Sequence, residues 1–151
     1  MNFSVRFAGP TDAALVHRFI CDLAAFQNMS DSVQVSPEHL ADQMNGAKPP
    51  FECLLVEKDQ QAVGFALFHP TYSTFTGKEG MHLVDLFIQP AFRQNGVGKK
   101  LFSHLLDIAR NRNYARIDWE VLRSNRSAQR FYESLGARYL DDWLPWRLEP
   151  A

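Results

Sequence analysis

Strict alternation opens the chain. Phe3, Val5 and Phe7 are apolar and Asn2, Ser4 and Arg6 polar, the period of a strand with one buried face. Gly9-Pro10-Thr11 breaks the pattern, and Thr11 is expected to cap a helix. In that helix Leu15, Phe19, Leu23 and Phe26 recur at helical spacing, with Cys21 off the stripe. Ser36-Pro37-Glu38 marks a second, short helix, a capping residue followed by proline in the first turn, and Asn45-Gly46 closes it. Residues 51–57 and 62–69 are apolar runs that predict an antiparallel hairpin across Lys58-Asp59-Gln60-Gln61, although the turn has no glycine.

A loop is expected over 72–80, then a strand over 81–88 that Pro90 stops. Val97, Leu101, Leu105 and Ile108 keep helical spacing after it. Residues 116–122 alternate, with Ile117, Trp119 and Val121 on one face and Asp118 and Glu120 on the other. A helix over 125–135 follows, with Asn125 or Ser127 as its cap and Gly136 as its end. The aromatic segment 139–148 reads as a final strand. This order of elements predicts an α/β (α+β) fold, a mixed sheet with helices on its faces.

Composition narrows the function classes. The 151 residues suit one domain spanning 1–151, with no repeat, low-complexity tract or linker. A net charge of −1 removes any bulk electrostatic case for binding nucleic acid. Two cysteines, Cys21 and Cys53, are too few for a disulfide framework and lack metal-ligand spacing, so no metal is expected. The start of the chain lacks the pattern of a signal peptide, and nowhere do 18 apolar residues run together. A cytoplasmic protein without a membrane partner is expected.

The chemistry concentrates in Phe92-Arg-Gln-Asn-Gly-Val-Gly-Lys-Lys100. Here a strand, a glycine-rich turn and a helix N-terminus converge, with basic residues on both sides. Free backbone N–H groups and the positive end of the helix dipole make such a place an anion site. A nucleotide-binding P-loop does not fit, because Arg93 stands where its first glycine belongs and Lys100 where its hydroxyl belongs. A dinucleotide fingerprint fits poorly, since Leu101 takes the place of its third glycine, although Asp118 falls at the distance of a ribose contact. A third pattern, Arg/Gln-x-x-Gly-x-Gly/Ala, is met by Arg93-Gln94-Asn95-Gly96-Val97-Gly98.

That third pattern resembles the acetyl-coenzyme A pyrophosphate loop of the GNAT superfamily of N-acetyltransferases. Asn125-Arg-Ser-Ala128-Gln-Arg-Phe131-Tyr132-Glu-Ser-Leu135-Gly136-Ala137 is similar to that family's second signature, in register with the first. Thr71-Tyr-Ser-Thr-Phe-Thr-Gly-Lys78, His82-Leu-Val-Asp-Leu-Phe-Ile88 and Asp118-Trp-Glu-Val-Leu122 resemble segments of the diamine (spermidine/spermine) acetyltransferase branch. Two positions where that branch carries carboxylates are here Gln27 and Val84.

The resemblance implies a GNAT fold, with a mostly antiparallel central sheet flanked by helices on both faces. It implies acetyl-CoA as co-substrate, lying along Leu86, Phe87 and Ile88, with its pyrophosphate wrapped by residues 94–99, among them Lys99. Arg93, Lys99, Lys100, Arg126 or Arg130 would reach the remaining phosphate. Asn125, Ser127, Ala128, Tyr132 and Leu135 would complete the cofactor site, Asn125 as a helix cap, a pantetheine ligand or both. The acceptor, a primary amine on a small molecule such as a diamine, polyamine or basic amino acid, would meet Phe26, Gln27, Val84, Asp85, Asp118, Trp119 and Glu120. A homodimer is also implied.

Tyr132 is the residue to which chemistry is assigned, as proton donor to the leaving thiolate, against a purely structural tyrosine. A lysine-like ammonium must lose a proton before attack. Asp85, Asp118 and Glu120 offer a carboxylate cluster that accepts it, against a reading of Asp118 and Glu120 as a solvated sheet face, and His82 is a further candidate. Neither cysteine stands near a predicted helix N-terminus, which favours direct transfer over an acetyl-cysteine intermediate. A GNAT-like module that binds acyl-CoA with little catalysis, and a protein N-acetyltransferase, are the competing readings.

Overall fold

The computed structural model describes residues 2–150. These fall into two compact units, Met1–Glu120 and Val121–Ala151. The first holds a five-stranded sheet in the order β1 (Phe3–Phe7), β2 (Glu52–Lys58), β3 (Gln61–Ser73), β4 (Lys78–Ile88) and β5 (Ile117–Trp119). Three pairings are antiparallel and β4–β5 is parallel. The same unit carries helices α1 (Ala13–Phe26), α2 (Pro37–Met44) and α3 (Val97–Asn111).

Side chains alternate across a strand, so the sheet has two apolar faces. Cys53, Leu55, Phe65, Leu67 and Phe87 cluster with Val16 and Phe19 of α1 and Leu40 of α2. Leu54, Val56, Ala66 and Phe68, of opposite parity on the same strands, are equally buried. Helix α3, which packs on β1 and β4, buries Val97, Leu101 and Leu105. This double coverage explains why β2 and β3 read as continuous apolar runs rather than alternations.

The β2–β3 turn forms without glycine because Asp59 and Gln60 take φ of 52° and 65°. Positive φ at both turn residues matches the twist of the strands it joins, and aspartate tolerates that region. Ser36 caps α2 as expected, its hydroxyl accepting from the His39 N–H at 3.0 Å.

Four expectations are corrected. Thr11 does not cap α1: residues 10–12 form a 3-10 turn and Asp12 is the N-cap. The Asp12 carboxylate is engaged instead by the Arg6 guanidinium at 2.9 Å and the Gly9 N–H at 2.8 Å. The loop over 72–80 shrinks to a turn, because β3 and β4 stay paired out to Ser73 and Lys78; a ladder needs backbone groups, and polar side chains do not interrupt it. Strand β5 spans three residues rather than seven, so Glu120 lies beyond its end.

Residues 139–148 form no strand. Their aromatic content speaks for burial, but a strand exists only where another pairs with it, and Pro145 removes a donor in mid-segment. Trp143 and Trp146 are instead 71% and 90% exposed. The second unit's regular structure is helix α4 (Arg126–Ser134).

Candidate active site

The glycine loop is built as an anion cradle. Gln94 and Gly96 have φ of 67° and 77°, and Gly96 is the N-cap of α3. Lys100 is the first residue of the helix to bond back, to the Gly96 carbonyl at 3.0 Å. The N–H groups of Val97, Gly98 and Lys99 therefore have no acceptor within the helix and face the loop at the positive end of its dipole. A Cβ on Gly96 would meet nothing within 4 Å, so what keeps glycine there is φ and not space. Gly96→Ala is expected to cost about 1–2 kcal/mol, the penalty of left-handed backbone for a residue with a Cβ. Urea unfolding at unchanged m-value measures it.

Arg93 lies elsewhere than the opening of that loop. Its Nε donates to the Ile88 carbonyl at 2.8 Å, and its guanidinium stacks over the rings of Phe26 (4.7 Å) and Phe87 (5.2 Å). The side chain thus ties the end of β4 to the end of α1, and burial lowers its pKa. The lysines at the loop, Lys99 and Lys100, are exposed.

Strand β4 changes character halfway along. Beside β3 its register slips, Leu67 facing Asp85 but Phe68 facing Leu83, so Val84 is the extra residue of a β-bulge. On its other side it pairs with β5 only at Met81, His82 and Leu83. Among the described residues of this unit no strand continues that pairing along 84–88. The Gln89 N–H bonds the Val63 carbonyl across β3. By the alternation of an antiparallel ladder, Phe87 and Asp85 also turn their main-chain groups toward β3, while Leu86 and Ile88 turn theirs to the open edge. The Ile88 carbonyl is taken by Arg93. The N–H and C=O of Leu86 and the N–H of Ile88 line a sheet edge next to the α3 cradle, ready to pair with an extended amide-bearing ligand.

Asp85 sits on the face of the sheet that α1 covers. Beside it lies an open concavity of about 330 Å³ walled by Ile20, Leu23 and Ala24 of α1, by Gln27, and by Met29, Ser32, Val33, Gln34 and Val35. The outer wall exists because Asn28, with φ of 57°, turns the chain back after α1. His17 then holds it, Nε2 donating to the Val35 carbonyl at 2.8 Å. Burial pushes the Asp85 carboxyl above its ordinary value. A carboxyl raised in the folded state costs stability once pH climbs above its unfolded value, near 4, and the cost is complete above its folded value. Asp85→Asn is therefore expected to be more stable than the parent at pH 7 and equal to it near pH 3, with urea midpoints at both pH values as the check.

Beyond Asp85 on the same face, His69 and His82 are paired across β3 and β4 with ring centroids 5.2 Å apart. Asp118 of β5 pairs with His82 in the next strand and accepts from Arg116 Nε at 3.0 Å. Trp119 points the other way: it pairs with buried Leu83 and packs on Phe102 of α3 at 5.2 Å. The structure therefore gathers Gln27 and Asp85 at one cavity, with Asp118 further along the same face. It places Trp119 on the opposite face and Val84 on the bulge. Phe26, 50% exposed, lies under Arg93. Sequence reasoning missed the wall formed by residues 29–35; its one signal was a stretch without helical period between two helices.

Within the second unit Asn125 is the N-cap of α4. Its Oδ1 accepts from the Ala128 N–H at 3.2 Å and the Ser127 hydroxyl at 3.3 Å. Gly136, with φ of 90°, ends the helix, and the Ala137 N–H returns to the Tyr132 carbonyl at 3.1 Å. Burial raises the Tyr132 phenol above its ordinary pKa, which keeps it protonated at neutral pH. Leu135 closes the last turn, half-buried.

The Acetyltransferase (GNAT) family model matches residues 19–137, a stretch that takes in both units. A thialysine N-epsilon-acetyltransferase of Mus musculus is 31% identical, over 96% of this chain and 91% of that protein. The spermidine/spermine N(1)-acetyltransferase-like protein 1 of Homo sapiens is 31% identical over 97% of this chain and 22% of its own length. Among solved structures, an integron cassette protein of V. cholerae superposes with a TM-score of 0.81 at 24% identity, covering 99% of this chain and 94% of that one, a likeness of fold. A β-bulged strand with an open edge, a glycine cradle at a helix N-terminus, the family match and relatives named for N-acetyltransferases converge on one conclusion: the chain belongs to the GNAT acetyltransferase family, whose co-substrate is acetyl-CoA, it resembles the diamine acetyltransferase branch, and it is an N-acetyltransferase.

Proposed function

We propose that the protein transfers an acetyl group from acetyl-CoA to a primary amine of a small molecule by direct attack in a ternary complex. The observation that carries this reading is the adjacency, within one unit, of the open β4 edge at Leu86 and Ile88, the α3 cradle, and the cavity holding Asp85. The loop N–H groups of residues 97–99, with Lys99 and Lys100, bind the diphosphate. The Leu86 and Ile88 main chain pairs with the pantetheine amides and orients the thioester. An N–H aimed at the thioester oxygen where negative charge develops contributes about 3 kcal/mol in comparable sites.

The amine arrives as an ammonium drawn by Asp85, and loses a proton to an acceptor on the face that carries Asp85, His82 and Asp118. Its lone pair then attacks the thioester carbon; the C–N bond forms, the C–S bond breaks, and the thiolate takes a proton from the Tyr132 hydroxyl. The role of Tyr132 rests on its place in the 125–137 signature. Cys53 supports the direct route, since burial pushes its thiol up to about 12, leaving little thiolate to form an acetyl-cysteine. Exposure of Trp143, Leu144, Trp146 and Leu148 supports the homodimer, which light scattering would measure. No helix among the described residues is long and apolar enough to cross a membrane, which is compatible with the cytoplasmic assignment.

Release of free thiol from acetyl-CoA, followed over a panel of amines, tests the reading. Amine-dependent release with no mass gain of the enzyme alone supports it. Binding of acetyl-CoA with no turnover of any amine favours a binding module, and an acetylated enzyme without acceptor overturns the direct route.

A further inference from the structure

We infer that the acceptor cavity is built for an amine that carries a single positive charge on an otherwise uncharged, largely apolar body. The inference rests on the acetyl-transfer reading and specifies its substrate class. Among the described residues lining the cavity, Asp85 is the ionisable one; the rest of the wall is aliphatic or methionine, with the neutral polar groups of Gln27, Ser32 and Gln34. A half-buried carboxylate in such a wall neutralises one ammonium. A second ammonium laid against the same wall would lose part of its water without a partner, because an unpaired charge on an apolar surface is unfavourable.

An amino acid fares no better, since its carboxylate would enter a cavity whose one charge is already negative. The cations nearby are committed elsewhere: Arg93 to the Ile88 carbonyl and the Phe26 and Phe87 rings, Arg116 to Asp118. His17 spends its Nε2 on the Val35 carbonyl. The aliphatic wall, by contrast, gives a chain or ring of about six carbons favourable burial, and the amides of Gln27 and Gln34 accept one hydroxyl or amide group on it. This sets the protein apart from what the names of its relatives say, thialysine for one and spermidine or spermine for the other.

The test measures kcat/KM in the thiol-release assay for hexylamine, phenethylamine, 1,6-diaminohexane, spermidine and lysine at one pH. The monoamines are expected to exceed the diamine, spermidine and lysine by about tenfold or more, the scale of one unpaired charge. Gln27→Glu, which adds a second carboxylate to the wall, is expected to raise the ratio of diamine to monoamine by about tenfold, and Asp85→Asn to raise KM for every amine without changing the Kd of acetyl-CoA. Spermidine, diaminohexane or lysine equal to or better than the monoamines overturns the inference while acetyl transfer itself stands. Turnover of none of the five, with acetyl-CoA still bound, overturns the transfer reading and this inference together. Should Gln27→Glu fail to fold, the ranking on the parent protein decides alone.

Discussion

Tyr132→Phe is expected to lower kcat roughly 10²- to 10⁴-fold while leaving the Kd of acetyl-CoA little changed. The substitution deletes one oxygen and keeps the ring, so Phe131–Tyr132 ring contact at 5.7 Å is retained. On the proposed mechanism the proton for the leaving thiolate goes with that oxygen. Burial raises the Tyr132 pKa, and a raised phenol stays protonated through the pH range in which a lysine-like amine begins to deprotonate. The parent should therefore keep its activity as pH rises from 7 to 9, and the Phe variant should lose kcat across that whole range. Turnover equal to the parent would remove Tyr132 from the mechanism. Weakened acetyl-CoA binding with intact kcat would mark it as structural.

The second large effect falls on stability. Phe19 is fully buried, stacks on Phe65 with centroids 5.5 Å apart and planes at 14°, and meets Phe87 at 6.5 Å. Phe19→Ala is expected to cost about 3–5 kcal/mol, the lost transfer energy plus the cavity left behind. Against a typical total of about 5–15 kcal/mol this threatens the fold itself. The urea midpoint at constant m reads the loss. Phe87 shares β4 with the Leu86 and Ile88 edge, so surviving folded enzyme should also show a raised KM for acetyl-CoA. A midpoint within about 1 kcal/mol of the parent would mean that the three rings are not the keystone between α1 and the sheet, since large core truncations rarely cost so little.

Local signals were legible at most positions where a residue's role depends on its neighbours in sequence, with the Thr11 cap as the exception. The Ser36 and Asn125 caps, the Gly96 entry to α3 and the Gly136 exit from α4 follow from side chains and φ values that act within four residues. The two-faced burial of β2 and β3 was legible too, as unbroken apolar runs. The tail misled because aromatic residues advertise burial without saying whether a strand will pair, while the alternation of 116–122 placed Trp119 opposite Asp118 as observed.

The resemblance named Gln27 and Asp85, but the concavity they share and its 29–35 wall needed tertiary structure. Asp85 and Gln27 stand far apart in sequence, and only the antiparallel register that sets Asp85 opposite Leu67, together with α1 lying across that face, brings them to one cavity. The same holds for His69, His82 and Asp118, which lie side by side because three strands happen to align there.

By itself, then, the sequence determined the family, the glycine turn at the N-terminus of α3 and the candidate proton donor, because each is encoded in contiguous residues whose backbone chemistry is local. Tertiary structure decided where β4 lies open, which face each carboxylate takes and which side chains wall the concavity beside Asp85. Those depend on strand register and helix packing, which are settled by burial of the whole core and not by any one segment.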